Sequence, residues 1–166
     1  MIVLNELFDS FFNESVIDEL KYVPYVLAAD PTGGKYSDSG FVHVSFDANR
    51  PENYYNNKLN VYAELILKKI VSEQQHLKKY QPVRYYWNYY NRASSGTFHP
   101  DTLEPNHQSI VYNLNTCDGG TMIEKEFIKS EQGRAVIFNS STSHCGVGPV
   151  KDPVRFMLNI VLAKEE

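Results

Sequence analysis

Two histidines, an aspartate and an arginine are spaced along this chain in a way that could build a metal site. His99 and Asp101 are separated by a single residue. His144 and Arg155 follow later in the chain, in that order. Two imidazoles and one carboxylate leave three positions open on an octahedral ion, and a guanidinium can hold a carboxylate through two parallel hydrogen bonds. The four residues therefore suggest a metal ion with an acidic ligand beside it.

The local sequence favours convergence of the first three of these side chains. Residues two apart on an extended segment point to the same side, and Pro100 disfavours helical backbone at His99. His144, the best candidate for a third ligand, follows a strand-like apolar stretch at 135–138. Such a facial set of His99, Asp101 and His144 is typical of non-haem Fe(II) oxygenases.

Arg155 begins the last predicted strand, in which apolar residues alternate with other types. One face carries Phe156 and Leu158, and the other carries Arg155 and Met157. The turn-rich stretch 146–153 predicts a hairpin that returns Arg155 toward His144. Tyrosines from neighbouring strands could add a hydroxyl to this pocket, and the candidates are Tyr112, Tyr89 and Tyr90.

The elements that must position these residues are predicted from apolar periodicity and turn signals. Three- and four-residue spacings indicate helices over 5–21 and 54–79. Short strands are predicted at 41–46, 83–91, 108–115, 121–128, 135–139 and 155–162. This order predicts an α+β, mainly β chain: a double-stranded β-helix (jelly roll) with N-terminal helices on the outer face of one sheet. We expect one domain over 1–166, with a helical part about 1–80 and a jelly-roll core about 83–162.

Composition argues against several classes of partner. The 166 residues carry a net charge of −4 without a basic cluster, so nucleic acid is not an expected partner. No apolar run approaches the roughly 18 residues of a membrane span, and the N-terminus lacks the features of a signal peptide. The two cysteines, Cys117 and Cys145, predict structural thiols and a cytoplasmic chain. Oligomeric state stays open.

Beyond these residues, the chain resembles the Fe(II)- and 2-oxoglutarate-dependent dioxygenases, in particular their prolyl 4-hydroxylase-like branch. The resemblance rests on His99, Asp101, His144 and Arg155 in order. It extends to Tyr-Asn-Leu-Asn at 112–115, Asp-Gly-Gly-Thr at 118–121 and Gly-Arg-Ala-Val-Ile-Phe at 133–138. It covers about residues 83–162.

This resemblance implies a catalytic metal site formed by His99, Asp101 and His144, and binding of 2-oxoglutarate by Arg155 with Tyr112 or Tyr90. The implied cofactors are Fe(II), 2-oxoglutarate as co-substrate and O2, and ascorbate is a possible addition. The implied reaction hydroxylates a substrate and releases succinate and CO2. The substrate would be a prolyl residue in a peptide or protein, or a small molecule, and the polar segment 91–97 is the expected lid.

Two other readings of the same residues remain open. A cupin-like metal enzyme would share the jelly roll and the histidines without needing 2-oxoglutarate, although cupins usually offer a His-x-His pair. A non-catalytic jelly-roll binding module would leave the histidines without a role. The remaining histidines, His43, His76 and His107, lack any such context and are interpreted as a strand residue, a solvated helix residue and a turn residue.

Overall fold

The computed structural model describes residues 1–27, 40–49, 57–92 and 94–165. The first residues of the helix predicted over 54–79, at 54–56, lie outside the described residues. The described part is mostly β, with two α-helices, α1 (Ser10–Leu20) and α2 (Asn57–Glu73), and a 3₁₀-helix at Gln75–Lys79. Its strands are β1 (Ile2–Leu4), β2 (Val26–Leu27), β3 (Phe41–Asp47), β4 (Tyr80–Asn91), β5 (His107–Asn113), β6 (Gly120–Ile123), β7 (Glu126–Lys129), β8 (Ala135–Asn139), β9 (His144–Val147) and β10 (Val154–Lys164).

The strands form two antiparallel sheets. The large sheet has the order β1-β8-β5-β10-β4-β3-β2, and the small sheet has the order β7-β6-β9. An apolar cluster joins them, because it contains Tyr90, Val111 and Met157 of the large sheet together with Ile123 and Ile128 of the small one. We call the side of the large sheet that faces this cluster its inner face. The mainly β, α+β composition predicted from the sequence is confirmed at this level.

Both helices pack on the opposite, outer face of the large sheet. Helix α1 begins after Asp9, whose side chain accepts the backbone N–H of Phe12 at 2.9 Å as an N-cap. Helix α2 buries one stripe of side chains, including Leu59, Ala63 and Ile66, which is the three- and four-residue spacing expected of a core-facing helix. No helix in the described ranges is both long and apolar enough to cross a membrane.

Strands β4 and β10 carry the two faces of the large sheet in alternation. On β10, Leu158 and Ile160 join the core under the helices, whereas Met157 lies in the cluster between the sheets. On β4, Trp87 belongs to the core under the helices and Tyr90 to the inner cluster. The alternation predicted for the last strand is therefore confirmed, and it places Arg155 on the inner face.

Several predicted features differ from the structure. The helix predicted to run to residue 79 ends at Glu73 and is followed by the 3₁₀-helix. The single strand expected at 121–128 is a hairpin of β6 and β7, turning at Glu124 with a φ of 52°. The helix predicted from residue 5 starts only at Ser10, because Glu6 has a φ of 55° and Asp9 is an extended N-cap residue, neither of which continues a helix. The connection from His144 to Arg155 is not a hairpin within one sheet, since β9 belongs to the small sheet and β10 to the large one. The two residues thus lie on opposite sheets that face each other.

An aspartate fixes the connection between those sheets. The Asp118 carboxylate accepts backbone N–H groups of Val150, Lys151 and Asp152 at 2.9–3.2 Å. These donors stabilise the ionised form and lower the pKa of Asp118 to about 2. The loop that leads into β10 is therefore tied to the start of β6.

Candidate metal centre

The backbone brings His99 and His144 side by side. The N–H of His99 donates to the carbonyl of His144 at 2.9 Å, and the N–H of His144 donates to the carbonyl of His99 at 3.0 Å. This two-residue antiparallel bridge extends the edge of the small sheet at β9. As a result, the two imidazole ring centroids lie 4.8 Å apart.

Backbone carbonyls fix the tautomer of both imidazoles. The Nδ1 of His99 lies 2.8 Å from the carbonyl of Thr97, and the Nδ1 of His144 lies 2.9 Å from the carbonyl of Thr142. Because a carbonyl can only accept, each Nδ1 carries the proton and each Nε2 keeps its lone pair. Burial lowers the pKa of His144, which keeps this imidazole neutral near pH 7. A neutral imidazole oriented by its other nitrogen is the form that binds metals.

Asp101 supplies a carboxylate to the same place. Its backbone N–H donates to the carbonyl of Ser140 at 2.9 Å, which anchors the segment after Pro100 to the end of β8. Its side chain is only 2% exposed, and its Oδ2 lies 3.5 Å from Nε2 of His144. The carboxylate therefore faces the histidines from inside the protein.

Three further side chains bind this carboxylate. Arg84 of β4 donates to Oδ1, whereas Ser109 of β5 and Asn159 of β10 donate to Oδ2, Asn159 at 3.3 Å. Burial alone would raise the pKa of Asp101, but the charge of Arg84 and these hydrogen bonds hold it below its ordinary value. The group is consequently an ionised carboxylate at neutral pH.

The three residues fit a divalent metal ion of the first transition row. One donor atom from each of His99, Asp101 and His144 lies within 4.8 Å of the other two. Neighbouring donors at about 2.0–2.2 Å from one octahedral ion lie about 3 Å apart, so a pair of donor atoms as far apart as 4.8 Å would move closer by about 2 Å on binding the ion. Two nitrogens and one oxygen are also the donor set that suits iron.

A buried arginine lies between the sheets on the same inner face. Arg155 is fully buried, and its guanidinium donates to the carbonyl of Gly120, to Oδ1 of Asn113 at 2.9 Å and to Oγ1 of Thr121 at 2.8 Å. Its Nε is buried without a hydrogen-bond partner among the described residues. Burial lowers the pKa of Arg155 to about 10, which still leaves it charged at neutral pH.

The charge of Arg155 has no counter-ion in the described part of the chain. All three of its hydrogen-bond partners are neutral, and no carboxylate of the described residues lies within ion-pair distance of it. A buried charge is normally paired, because an isolated one is strongly disfavoured. The arrangement of Arg155 is therefore suited to an anionic ligand that enters between the sheets.

Tyr90 lies beside Arg155 on the inner face. The guanidinium carbon of Arg155 lies 5.8 Å from the centroid of the Tyr90 ring, within range of a cation–π interaction. The two residues are register partners of β4 and β10. The hydroxyl end of the ring lies against Gly146 of β9. A Cβ added to this glycine would lie 2.3 Å from the tyrosine hydroxyl oxygen. A glycine at 146 thus allows Tyr90 to reach across to the small sheet.

The substitution Gly146→Ala tests this contact. We expect it to displace the Tyr90 ring and to lower the free energy of unfolding by about 1–3 kcal/mol, as overpacking of a closed interior usually does. Urea unfolding measures the change. Gly96→Ala is the matched control, because the nearest atom that its Cβ would meet among the described residues is 3.4 Å away. Equal stability of the two variants would contradict the contact.

Tyr112 does not lie with the other predicted site residues. Its hydroxyl donates to Oδ1 of Asn13 on α1 at 2.6 Å, and its ring lies edge-on to Phe8. It pairs with Leu158 of β10, which faces the helices. Because alternate residues of a strand point to opposite faces, the inner position belongs to Asn113. Tyr89, the other candidate, likewise packs in the outer-face core.

Tyr112→Phe is therefore expected to change stability and not ligand binding. Removing the hydroxyl leaves the buried Asn13 side chain without this donor, which costs about 1–3 kcal/mol. Thermal or urea unfolding would measure the loss, and a 2-oxoglutarate titration would show unchanged affinity. A large drop in that affinity would restore Tyr112 to the site.

Several residues of the centre are recognisable as such only through strand register. Arg84, Ser109 and Asn159 around Asp101 belong to no motif in the sequence. Asn113 and Thr121 lie within the stretches 112–115 and 118–121 noted above, but their contacts with Arg155 follow only from the structure. Asn159 could have been anticipated, because it shares the alternating face of Arg155 on β10. The other four depend on which strands become neighbours.

The surroundings of the centre include the segment expected as a lid and a surface depression. Segment 91–97, in which Ala93 is outside the described residues, is joined to β9 by a backbone hydrogen bond from Gly96 to Gly146 at 2.8 Å. The depression lies near His144 and has Ile123, Phe138 and Thr142 in its wall. The Phe138 ring centroid is 4.8 Å from that of His144, so this lining residue of the depression is also in contact with the imidazole.

Comparison of the structure with solved structures finds strong likeness at low sequence identity. HygX from Streptomyces hygroscopicus, with nickel and 2-oxoglutarate bound, is 12% identical; the match covers 98% of this chain and 82% of HygX, with a TM-score of 0.70. The viral collagen prolyl hydroxylase of Paramecium bursaria Chlorella virus-1, in its 2-oxoglutarate complex, is 15% identical, with 99% and 96% coverage and a TM-score of 0.65.

A third structure carries a peptide. It is a prolyl hydroxylase from Trichoplax adhaerens in complex with a peptide fragment of the hypoxia-inducible factor oxygen degradation domain, 10% identical, covering 98% of this chain and 83% of that one, with a TM-score of 0.69. HygX is also known with hygromycin B bound. The chain has the fold of these proteins. No protein-family model and no curated protein sequence matches the chain.

Proposed function

We propose that this chain is an Fe(II)- and 2-oxoglutarate-dependent dioxygenase that hydroxylates its substrate and releases succinate and CO2. It would be a single domain over 1–166, with the two sheets forming a double-stranded β-helix. The observation that carries the proposal is the pairing of a His99, Asp101, His144 cluster with a buried, uncompensated Arg155 on the same inner face. The cluster suits a metal ion, and Arg155 suits an acidic co-substrate. The neighbours that bind 2-oxoglutarate support it.

Each residue would have a definite task. His99 and His144 would offer Nε2 lone pairs to iron, since Nδ1 of each is committed to a carbonyl. Asp101 would supply the anionic oxygen. When bound, Fe(II) and 2-oxoglutarate supply oxidation of a substrate C–H bond by O2, coupled to decarboxylation of 2-oxoglutarate.

Arg155 and Tyr90 would hold the distal carboxylate of 2-oxoglutarate. The unpartnered Nε of Arg155 provides a donor, and the interior of Val111, Met157 and Ile123 excludes water from the ion pair. Charge-assisted hydrogen bonds are strongest in such a dry site. Because Tyr112 faces the helices, it has no part in this arrangement.

The substrate would be a prolyl residue in a peptide or protein, or a small molecule. Structural neighbours support both classes, because one binds a peptide fragment and another binds hygromycin B. Segment 91–97 would be the lid that covers the substrate.

An anaerobic titration tests the proposal. Addition of Fe(II) and then 2-oxoglutarate to the purified chain should produce a visible charge-transfer band that saturates with one equivalent of each. On admission of O2, succinate release above the uncoupled background in pools of peptides or small molecules would identify the substrate class. Absence of binding of both iron and 2-oxoglutarate would reject the proposal, and metal-dependent turnover indifferent to 2-oxoglutarate would instead favour a cupin-like enzyme.

A further inference from the structure

Arg84 approaches the candidate metal centre from β4, outside the ligand set. It lies opposite Asp47 of β3 and Val161 of β10 in the register of the large sheet. Its guanidinium carbon lies 4.7 Å from the centroid of the Tyr86 ring, and the same group donates to Oδ1 of Asp101. The aromatic contact and the charge-assisted hydrogen bond together hold the guanidinium in one place.

The two oxygens of Asp101 have different surroundings. Oδ2 lies 3.5 Å from Nε2 of His144 and is thus the oxygen that faces this imidazole, and it also accepts hydrogen bonds from the neutral side chains of Ser109 and Asn159. Oδ1 accepts the hydrogen bond from the charged guanidinium of Arg84. The carboxylate is therefore oriented with one oxygen toward the ligand cluster and the other toward a fixed cation.

This orientation matters for the number of ligand positions. A carboxylate can bind a metal ion through one oxygen or through both. With two imidazoles and one carboxylate oxygen, three of six positions remain open, whereas a bidentate carboxylate would leave two. A chelating keto acid occupies two positions, and O2 requires another.

We propose that Arg84 is a positioning residue that restricts Asp101 to a single metal-ligating oxygen by holding its Oδ1. The inference rests on the proposed function, because it assigns Arg84 a role toward the same metal and co-substrate. Arg84 acts through Asp101: by preventing the second carboxylate oxygen from binding the metal, it leaves open a coordination position that 2-oxoglutarate needs. Partners that orient a ligand in this way typically change metal affinity or activity by about 10- to 100-fold when they are removed.

The test uses Arg84→Met, which removes the guanidinium and keeps much of the apolar stem, and Arg84→Lys, which keeps the charge. Arg134→Met is the matched control, since Arg134 pairs with the Glu131 carboxylate away from the centre. We expect Arg84→Met to bind Mn(II) but to weaken 2-oxoglutarate binding to the Mn(II)-loaded protein by about 10- to 100-fold. The Fe(II)–2-oxoglutarate absorption band should weaken or shift. Arg84→Lys should recover part of the affinity, and Arg134→Met should match the unsubstituted chain.

Wild-type 2-oxoglutarate affinity and an unchanged absorption band in Arg84→Met would overturn the inference while leaving the proposed function intact. If Arg84→Met does not fold, as judged by circular dichroism, Arg84→Gln, which loses the charge but stays polar, decides the matter: wild-type 2-oxoglutarate affinity in that variant overturns the inference, and a loss of affinity supports it. Failure of the unsubstituted chain to bind Fe(II) and 2-oxoglutarate would reject the proposed function and this inference together.

Discussion

Replacement of Arg155 by methionine is expected to weaken 2-oxoglutarate binding by roughly 100- to 10,000-fold. The estimate takes two charge-assisted hydrogen bonds to the distal carboxylate at about 1.5–3 kcal/mol each, with tenfold in affinity for every 1.4 kcal/mol. Isothermal titration of the Mn(II)-loaded protein with 2-oxoglutarate measures the effect. Metal affinity itself should change little, because Arg155 does not contact the His99, Asp101, His144 cluster.

The stability of this variant has to be followed in the same experiment. Without the guanidinium, Asn113 and Thr121 each lose a buried donor, so some loss of unfolding free energy is expected. Arg155→Lys keeps a charge in the pocket but loses the planar fork, and it should bind 2-oxoglutarate with intermediate affinity. Arg134→Met is the control, since Arg134 pairs with the Glu131 carboxylate away from the centre. Equal affinity of Arg155→Met and Arg134→Met would contradict the assignment of Arg155.

The second large effect is expected for His99→Ala. Loss of one of three protein ligands should lower Mn(II) or Fe(II) affinity by at least about 100-fold, since removing even an outer partner of a ligand costs about 10- to 100-fold. His99 is the cleanest ligand to remove because it is only partly buried, whereas His144 packs against Phe138 in the interior. The electron paramagnetic resonance signal of free Mn(II) reports the affinity.

His107→Ala is the matched control for His99→Ala. His107 is also partly buried, and its Nδ1 makes the same kind of contact, 2.9 Å from the carbonyl two residues earlier. The His107→Ala variant should therefore lose an imidazole in a similar local environment while its affinity for Mn(II) or Fe(II) stays unchanged. Metal binding that is equally weak in both variants, or equally strong, would argue against a metal centre at His99.

The parts of this centre that the sequence predicts are those governed by local rules. The spacing of His99 and Asp101 and the alternation around Arg155 both depend on extended backbone. In the structure His99 and Asp101 point toward the same cluster, and Arg155 lies on the inner face together with Met157. The buried stripe of α2 and the outer face of β10 are predictable for the same reason. In both elements the apolar residues recur at a regular spacing over enough residues to identify the buried side.

The parts that could not be predicted depend on pairings between distant segments. Tyr112 was a reasonable candidate for the site, yet its face is set by register with Leu158 and Ala135. A shift of one residue along β5 would have exchanged Tyr112 with Asn113. The contact of Arg84 with Asp101 likewise requires β4 to lie beside β10 and β10 beside β5, which no short motif records.

The backbone bridge between His99 and His144 has a consequence for how the chain would respond to occupancy. Among the described residues this bridge is an isolated one, outside the named strands at its His99 end, so the segment carrying His99 has few ladder bonds to resist local opening. An ion shared by the two imidazoles would act as a cross-link between segments that are far apart in the chain. The backbone amide hydrogens of His99 and His144 should then exchange with solvent more slowly in the metal-bound protein. Hydrogen–deuterium exchange at these two amides would therefore report whether the site holds a metal ion.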